Sequence, residues 1–172
     1  MFTELYWIDG PWPGRLAISA RPRGGDWLQE EIKAWRRNGL DAVVSLLTPD
    51  EMDDLGLEQE EEVCQKNGID FLSLPIVDRS VPALDSTTIG LFERIEAALD
   101  QGKKITVHCR QGIGRSALVA ASLLVAKGTS PAAAVEQIGK ARHATVPETK
   151  EQRAWIDTFA ASLSPVGQRP QK

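Results

Sequence analysis

His108-Cys109-Arg110-Gln111-Gly112-Ile113-Gly114-Arg115-Ser116 is the stretch whose reading decides the fold. Before it, Lys104-Ile105-Thr106-Val107 reads as a strand. After it, residues 117–126 form an apolar run of helical character. The order is therefore strand, tight glycine-containing loop, helix N-terminus. Such a loop lets several backbone N–H groups converge on one point, and the helix dipole adds partial positive charge there. A thiol in that setting is driven toward the thiolate, the form that attacks. Cys109 opens the loop and Arg115 closes it. The Arg115 guanidinium is a planar fork suited to two phosphoryl oxygens. Gly112 and Gly114 let the backbone turn inward, and Ser116 can place its hydroxyl near the sulfur.

Strand and helix patterns alternate outward from this loop. Strands are expected at residues 4–8, 15–19, 42–47, 69–74 and 104–107. Helices are expected at 27–38 behind an Asp26 cap, from Thr48 to about Lys66, at 85–100 behind Asp85, and from Arg115 to Lys127. Two more follow, one capped by Ser130 with Pro131 at its first position, one from near Pro147 carrying Trp155, Ile156 and Phe159. This is an α/β chain: one mostly parallel central sheet of about five strands with helices on both faces. One domain is expected over residues 1–163, with a disordered tail at 164–172. In such sheets ligands bind at the carboxyl ends of strands, which is where the loop falls.

The chain has 172 residues, 42% hydrophobic and 26% charged, with a formal net charge of −4. That balance suits a soluble domain and argues against nucleic acid as the main partner. Two cysteines in this length argue against a disulfide scaffold. The first residues carry no signal-peptide or membrane-span pattern, so a cytoplasmic protein with no membrane partner is expected.

His-Cys-x5-Arg-Ser resembles the signature of the cysteine-dependent protein tyrosine phosphatase superfamily, with no departure at its fixed positions. Arg21-Pro22, Ser45-Leu46-Leu47 and Pro75-Ile76-Val77-Asp78 lie in the order expected of its small dual-specificity members, the branch similar to Cdc14 and kinase-associated phosphatase. The resemblance implies a phosphotyrosine phosphatase-like fold and a nucleophile, Cys109. Arg115 would bind the phosphoryl group together with the loop of Arg110, Gln111, Gly112, Ile113 and Gly114. Ser116 would assist departure of the sulfur, and His108, facing away from the pocket, would support the loop. No cofactor and no metal are implied.

Cleaving a phosphate ester also needs a proton donor. Asp78, in a proline-bounded loop after a strand, is the best candidate; Asp70 and Asp85 are weaker ones. A loop aspartate more often only caps a turn, but here position and chemistry agree. The segment Val146-Pro147-Glu148-Thr149-Lys150-Glu151-Gln152 resembles one that opens the last helix in the same branch, which makes Gln152 a candidate to orient water. Arg79 and Arg110 are expected to add positive potential at the pocket mouth. Cys64 reads as half-buried core and His143 as a surface or interhelix residue. The expected substrate is a phosphorylated protein, on tyrosine as well as serine and threonine. Inositol phosphates, phosphoinositides and RNA 5′-triphosphates remain as alternatives on the same chemistry, and a non-catalytic phosphate-binding module as an alternative to an enzyme.

Overall fold

The computed structural model describes residues 2–168. Five strands form one sheet: β1 (Tyr6–Ile8), β2 (Arg15–Ser19), β3 (Ala42–Ser45), β4 (Asp70–Ser73) and β5 (Lys104–His108). Their spatial order is β1-β2-β5-β3-β4, with only β1 antiparallel to its neighbour. β5 thus lies at the centre, paired in register so that His108 sits beside Ser19 on one side and Ser45 on the other.

Among the described residues seven α-helices cover the sheet: α1 (Leu28–Arg37), α2 (Pro49–Asp54), α3 (Glu60–Lys66), α4 (Ser86–Asp100), α5 (Arg115–Ala126), α6 (Pro131–Arg142) and α7 (Lys150–Gln168). The connections β2-α1-β3 and β3-α2-α3-β4 run one way across the sheet, and β4-α4-β5 runs back. Right-handed crossovers then place α1 and α3 on one face and α4 on the other. The core divides accordingly. On one face Leu16, Ile18, Val44, Ile105 and Val107 pack under α4, α5, α6 and α7. On the other, Val43 and Ile69 pack under Leu28, Ile32, Trp35, Val63 and Cys64. The split follows the strands' two-residue alternation.

α5 is the helix the larger core is built around, since every residue from Arg115 to Val125 is buried. Against it Phe92 of α4 meets Trp155 and Phe159 of α7 edge-on, at ring distances of 6.2 and 5.5 Å. No helix among the described residues is long and apolar enough to cross a membrane.

Several boundaries differ from the sequence expectation for physical reasons. Asp26 does not cap α1; residues 25–27 form a short 3-10 turn and the cap position falls on Trp27. Trp27 itself is exposed, with the Arg23 guanidinium 4.6 Å from its ring centre. The acidic stretch to Lys66 is two helices, broken where Gly56 takes a φ of +69°. The backbone of α7 continues to Gln168, beyond the boundary expected at residue 163; adding residues to a formed helix costs little compared with starting one. Residues 169–172 of the expected tail lie outside the described residues.

Replacing Phe159 with Ala removes both the edge contact and a stacked contact with Trp155 at 5.7 Å. It should lower unfolding free energy by about 3–5 kcal/mol in urea titration.

Candidate active site

Strand β5 ends at His108, and alternation sends its last two side chains apart. His108 turns toward α1 and α3, while Cys109 joins the opposite core. The loop then wraps back to the N-terminus of α5, capped by Gly114 with no side-chain hydrogen bond. Gly112 has a φ of +75°, and a Cβ there would lie 2.6 Å from the Ser19 carbonyl carbon, so only glycine fits. This close approach lets the Gly112 N–H donate to the Cys109 sulfur at 3.3 Å. The thiol and the Ser116 hydroxyl are also hydrogen-bonded, at 3.3 Å.

Arg142, at the end of α6, grips the outside of the loop. It donates to the carbonyls of Gly112 and Gln111, both at 3.1 Å, while its guanidinium lies 4.3 Å from the centre of the Tyr6 ring. These bonds fix two carbonyls of the loop, while the Gly112 amide points at the sulfur. Arg142 was not legible in the sequence, because nothing local to α6 relates it to a loop thirty residues earlier.

Arg115 is 1% exposed and heavily bound. Glu51 takes it bidentately at 2.7 and 2.9 Å, the Ile76 carbonyl accepts at 2.7 Å, and Asp78 accepts at 3.0 Å. Its Nε is buried with no partner in the protein, one donor left for an anion. Burial works to lower the Arg115 pKa, but the Glu51 hydrogen bond and the charges of Cys109, Glu51 and Asp78 outweigh it and raise it. For Glu51, burial pulls the pKa up, and is overcome by the Arg115 hydrogen bond, the Thr48 amide, the Arg115 charge and Arg110. Its carboxyl is held down to about 2. Glu51 was missed as a site residue, although its signal was present. Thr48-Pro49-Asp50-Glu51 is a capping box: the Glu51 amide donates to the Thr48 hydroxyl at 3.3 Å and the Thr48 amide to Glu51 at 3.0 Å.

A cavity of about 40 Å³ is lined by Asp78, Cys109, Arg110, Gln111, Gly114, Arg115 and Glu148. Asp78 therefore shares the pocket with the sulfur, whereas Asp85 caps α4 through the Thr88 amide and Asp70 opens β4 at the other end of the sheet. Ile113 packs against the core. Gln152 is not in the pocket lining. Its Oε1 accepts from the Glu148 and Thr149 amides and its Nε2 donates to the Ser80 carbonyl, all at 3.1 Å. It ties the Asp78 loop to the start of α7, and the residue it presents to the pocket is Glu148.

The expected positive mouth is also offset. Arg110 donates to Glu51 at 3.3 Å, and Arg79 pairs with Glu148 at 2.7 Å without lining the pocket. Cys64 is fully buried, in the core on the other face of the sheet from Cys109. Burial first, then the charges of Glu60 and Glu61, push its thiol pKa up, so it is inert and not placed to resolve a disulfide with Cys109. His143 ends α6 in a left-handed conformation, exposed.

A parallel sheet covered on both faces, whose central strand runs through a Cys-x5-Arg loop into a buried helix, defines the class of small dual-specificity phosphatases. A family model described as "Tc-R-P: Polymorphic toxin system, DSP-PTPase phosphatase" matches residues 18–129, and the chain belongs to that family. Cyclin-dependent kinase inhibitor 3 of Rattus norvegicus is 26% identical over 139 residues, which is 80% of this chain and 65% of that relative. The chain thus spans less than two thirds of the length of that relative. A crystal structure of kinase associated phosphatase with its catalytic cysteine replaced by serine superposes with a TM-score of 0.85 at 21% identity, covering 94% of this chain and 96% of that one. Tk-PTP in its active form gives 0.77 at 27% identity, covering 92% and 97%.

The Glu51 pairing sets an acid limit on stability. A carboxyl held near 2 against an ordinary 4.5 stabilises the fold above pH 4.5, and that contribution is lost as pH falls through 2. Glu51→Gln should remove up to about 3 kcal/mol at pH 7 and flatten the fall in stability between about pH 5 and 2. Urea titrations of both proteins across that range measure it.

Proposed function

We propose that the protein is a phosphoric monoester hydrolase that works through a cysteinyl-phosphate and acts on phosphorylated proteins, at tyrosine and at serine or threonine. The observation that carries this reading is the shared pocket: Cys109, Asp78 and Arg115 line one small cavity at the N-terminus of a buried helix. Residues 1–163 form the catalytic domain, and a reducing, cytoplasmic setting suits a reactive thiolate.

In the first step the Cys109 sulfur attacks phosphorus and a P–S bond forms. The P–O bond to the leaving group breaks, and Asp78 delivers its proton to that oxygen. Arg115 and the inward amides of residues 110–115 hold the equatorial oxygens, where charge is greatest in the transition state. Substrate phosphate competes with Asp78 for Arg115, so binding frees the acid from its 3.0 Å contact. In the second step water attacks phosphorus, gives one proton to the Asp78 carboxylate, and the electron pair of the P–S bond returns to sulfur. Ser116, in contact with Cys109, stabilises the departing thiolate. Glu148, the second carboxylate of the lining, accepts a hydrogen bond from the O–H that the water keeps, and Gln152 holds the Glu148 backbone in place.

The same geometry argues against the other substrates considered. Arg79 and Arg110 are each bonded to a carboxylate, and the pocket is lined by two acids beside its two arginines. Inositol polyphosphates, phosphoinositides and RNA 5′-triphosphates bring further phosphates, which need cations not already committed. One phosphoryl group on a protein side chain needs none. A module that only binds phosphate has no use for an acid beside its thiol.

Phosphate release from para-nitrophenyl phosphate and from phosphotyrosyl, phosphoseryl and phosphothreonyl peptides, with EDTA present, tests the reading. Cys109→Ser should abolish turnover while substrate binding persists. Asp78→Ala should lower kcat/KM on phosphopeptides about 100-fold, with a smaller loss on the activated aryl phosphate. Turnover retained by Cys109→Ser would overturn the mechanism.

Glu148→Ala should separate the two steps. It should show a stoichiometric burst of para-nitrophenol followed by turnover at least about tenfold slower, read by rapid mixing. Slowing of the burst itself, without a following slower phase, would remove Glu148 from the water step.

A further inference from the structure

One edge of the sheet is left open. β4 is the last strand on its side, and among the described residues no strand pairs with its outer edge. The amides of Asp70 and Leu74 donate to the carbonyls of Asp41 and Ser45, both at 3.0 Å, so the ladder to β3 uses every second residue of β4. The amides and carbonyls of Phe71 and Ser73 therefore point outward, and none of them has a hydrogen-bond partner among the described residues.

Beside this edge α4 does not close on the sheet. It leaves a groove of about 440 Å³ whose walls include Ala42, Leu72, Ala98 and Ile105. Ala42, Leu72 and Ile105 belong to the sheet face that α4 covers. Arg94, on α4, and Lys103, just after it, line the same groove. Neither side chain has a hydrogen bond or an ion pair among the described residues, and the one acid of the lining is Asp70. In a chain of net charge −4, two cations are thus left uncommitted around an apolar floor.

We propose that this groove takes an extended acidic segment of another protein, which adds to β4 as a sixth strand and presents acidic, apolar and acidic side chains at two-residue spacing, Glu-x-Val-x-Glu. The segment's backbone satisfies the outward groups of Phe71 and Ser73, as a peptide does at an open sheet edge. Side chains two apart on an added strand share a face, and the face that continues from Leu72 opens into the groove. The middle side chain meets the apolar floor. Arg94 and Gln101 lie two turns apart along α4, which makes the groove about 10 Å long. The first and fifth side chains of a strand are about 13 Å apart, so each acid comes within reach of one cation, Arg94 or Lys103. A second copy of this chain fits less well, because its own edge, Asp70-Phe71-Leu72-Ser73, brings one acid to two cations. The proposal is independent of the role given to Cys109.

Fluorescence anisotropy of a fluorescein-labelled peptide, Ser-Glu-Thr-Val-Thr-Glu-Ser, titrated with the full chain at low salt tests it. The peptide should bind saturably with a Kd below about 1 mM. Arg94→Glu combined with Lys103→Glu should weaken binding at least about tenfold. The same peptide methylated at its three central amide nitrogens should not bind, because an added strand needs those donors. Failure of the unmethylated peptide to bind would overturn the proposal, as would binding that the double variant leaves unchanged. Equal affinity of the methylated peptide would reduce the groove to a mere anion contact and also overturn it. Ser73→Pro, which an edge strand accommodates at an outward amide, should abolish binding while the far-ultraviolet circular dichroism is kept; should that variant fail to fold, the methylated peptide decides. Sedimentation velocity covers the remaining occupant: a dimer that Ser73→Pro dissociates would give the edge to a second copy and overturn the proposal.

Discussion

A guanidinium buried to 1% exposure must be neutralised before it can serve as a binding group. Arg115 meets that demand through Glu51, and much of the surrounding structure follows from it. Glu51 reaches Arg115 because Thr48 starts α2 where β3 runs out, and the capping box fixes its side chain on the way. The Ile76 carbonyl reaches the same guanidinium because β4 runs parallel to β3 and leaves the sheet beside it. Two segments distant in sequence are thereby pinned around one side chain, and Asp78, two residues past Ile76, is delivered to the pocket by the same contact. The Asp78 carboxylate is thus positioned at the pocket by the same stretch of backbone that helps neutralise Arg115.

The loop is held from outside as firmly as from within. Its outward carbonyls at Gln111 and Gly112 are tied to Arg142, and the close pass of Gly112 over Ser19 leaves no room for a side chain. A loop fixed in this way has no reorganisation to undergo when an anion binds or charge develops beside it. That is why a cradle of small residues is backed by a dense set of bonds to larger ones. The balance of charge at the mouth has a similar logic. Each arginine there carries a carboxylate partner, so Arg79, Arg110 and Arg115 are all neutralised within the fold.

How much of this was legible in the sequence depends on the range of the interaction. The loop announces itself because its parts are adjacent: strand, cysteine, two glycines, arginine and helix fall within one short segment, and their local chemistry leaves little freedom. The mostly parallel sheet follows from βα alternation, while the order β1-β2-β5-β3-β4 rests on pairings between segments distant in sequence. Asp78 was readable because a proline-bounded loop after a strand has few places to go. Glu51 and Arg142 were not identified as partners, since each acts across the fold on a group it is not near in sequence. Even so, the capping box around Glu51 was written locally, and only its second use was hidden.

Gln152 shows the limit most clearly. The stretch around the start of α7 carries Glu148 and, four residues on, Gln152, and sequence alone does not say which faces the loop. Packing decides. Gln152 is fully buried and its carboxamide is taken by the backbone of residues 148 and 149 and by Ser80, so its work is to join two loops. Glu148 is left at the cavity wall, where a Cβ on Gly114 would come within 2.9 Å of its carboxylate. A glycine at position 114 keeps open the space between the loop and that carboxylate.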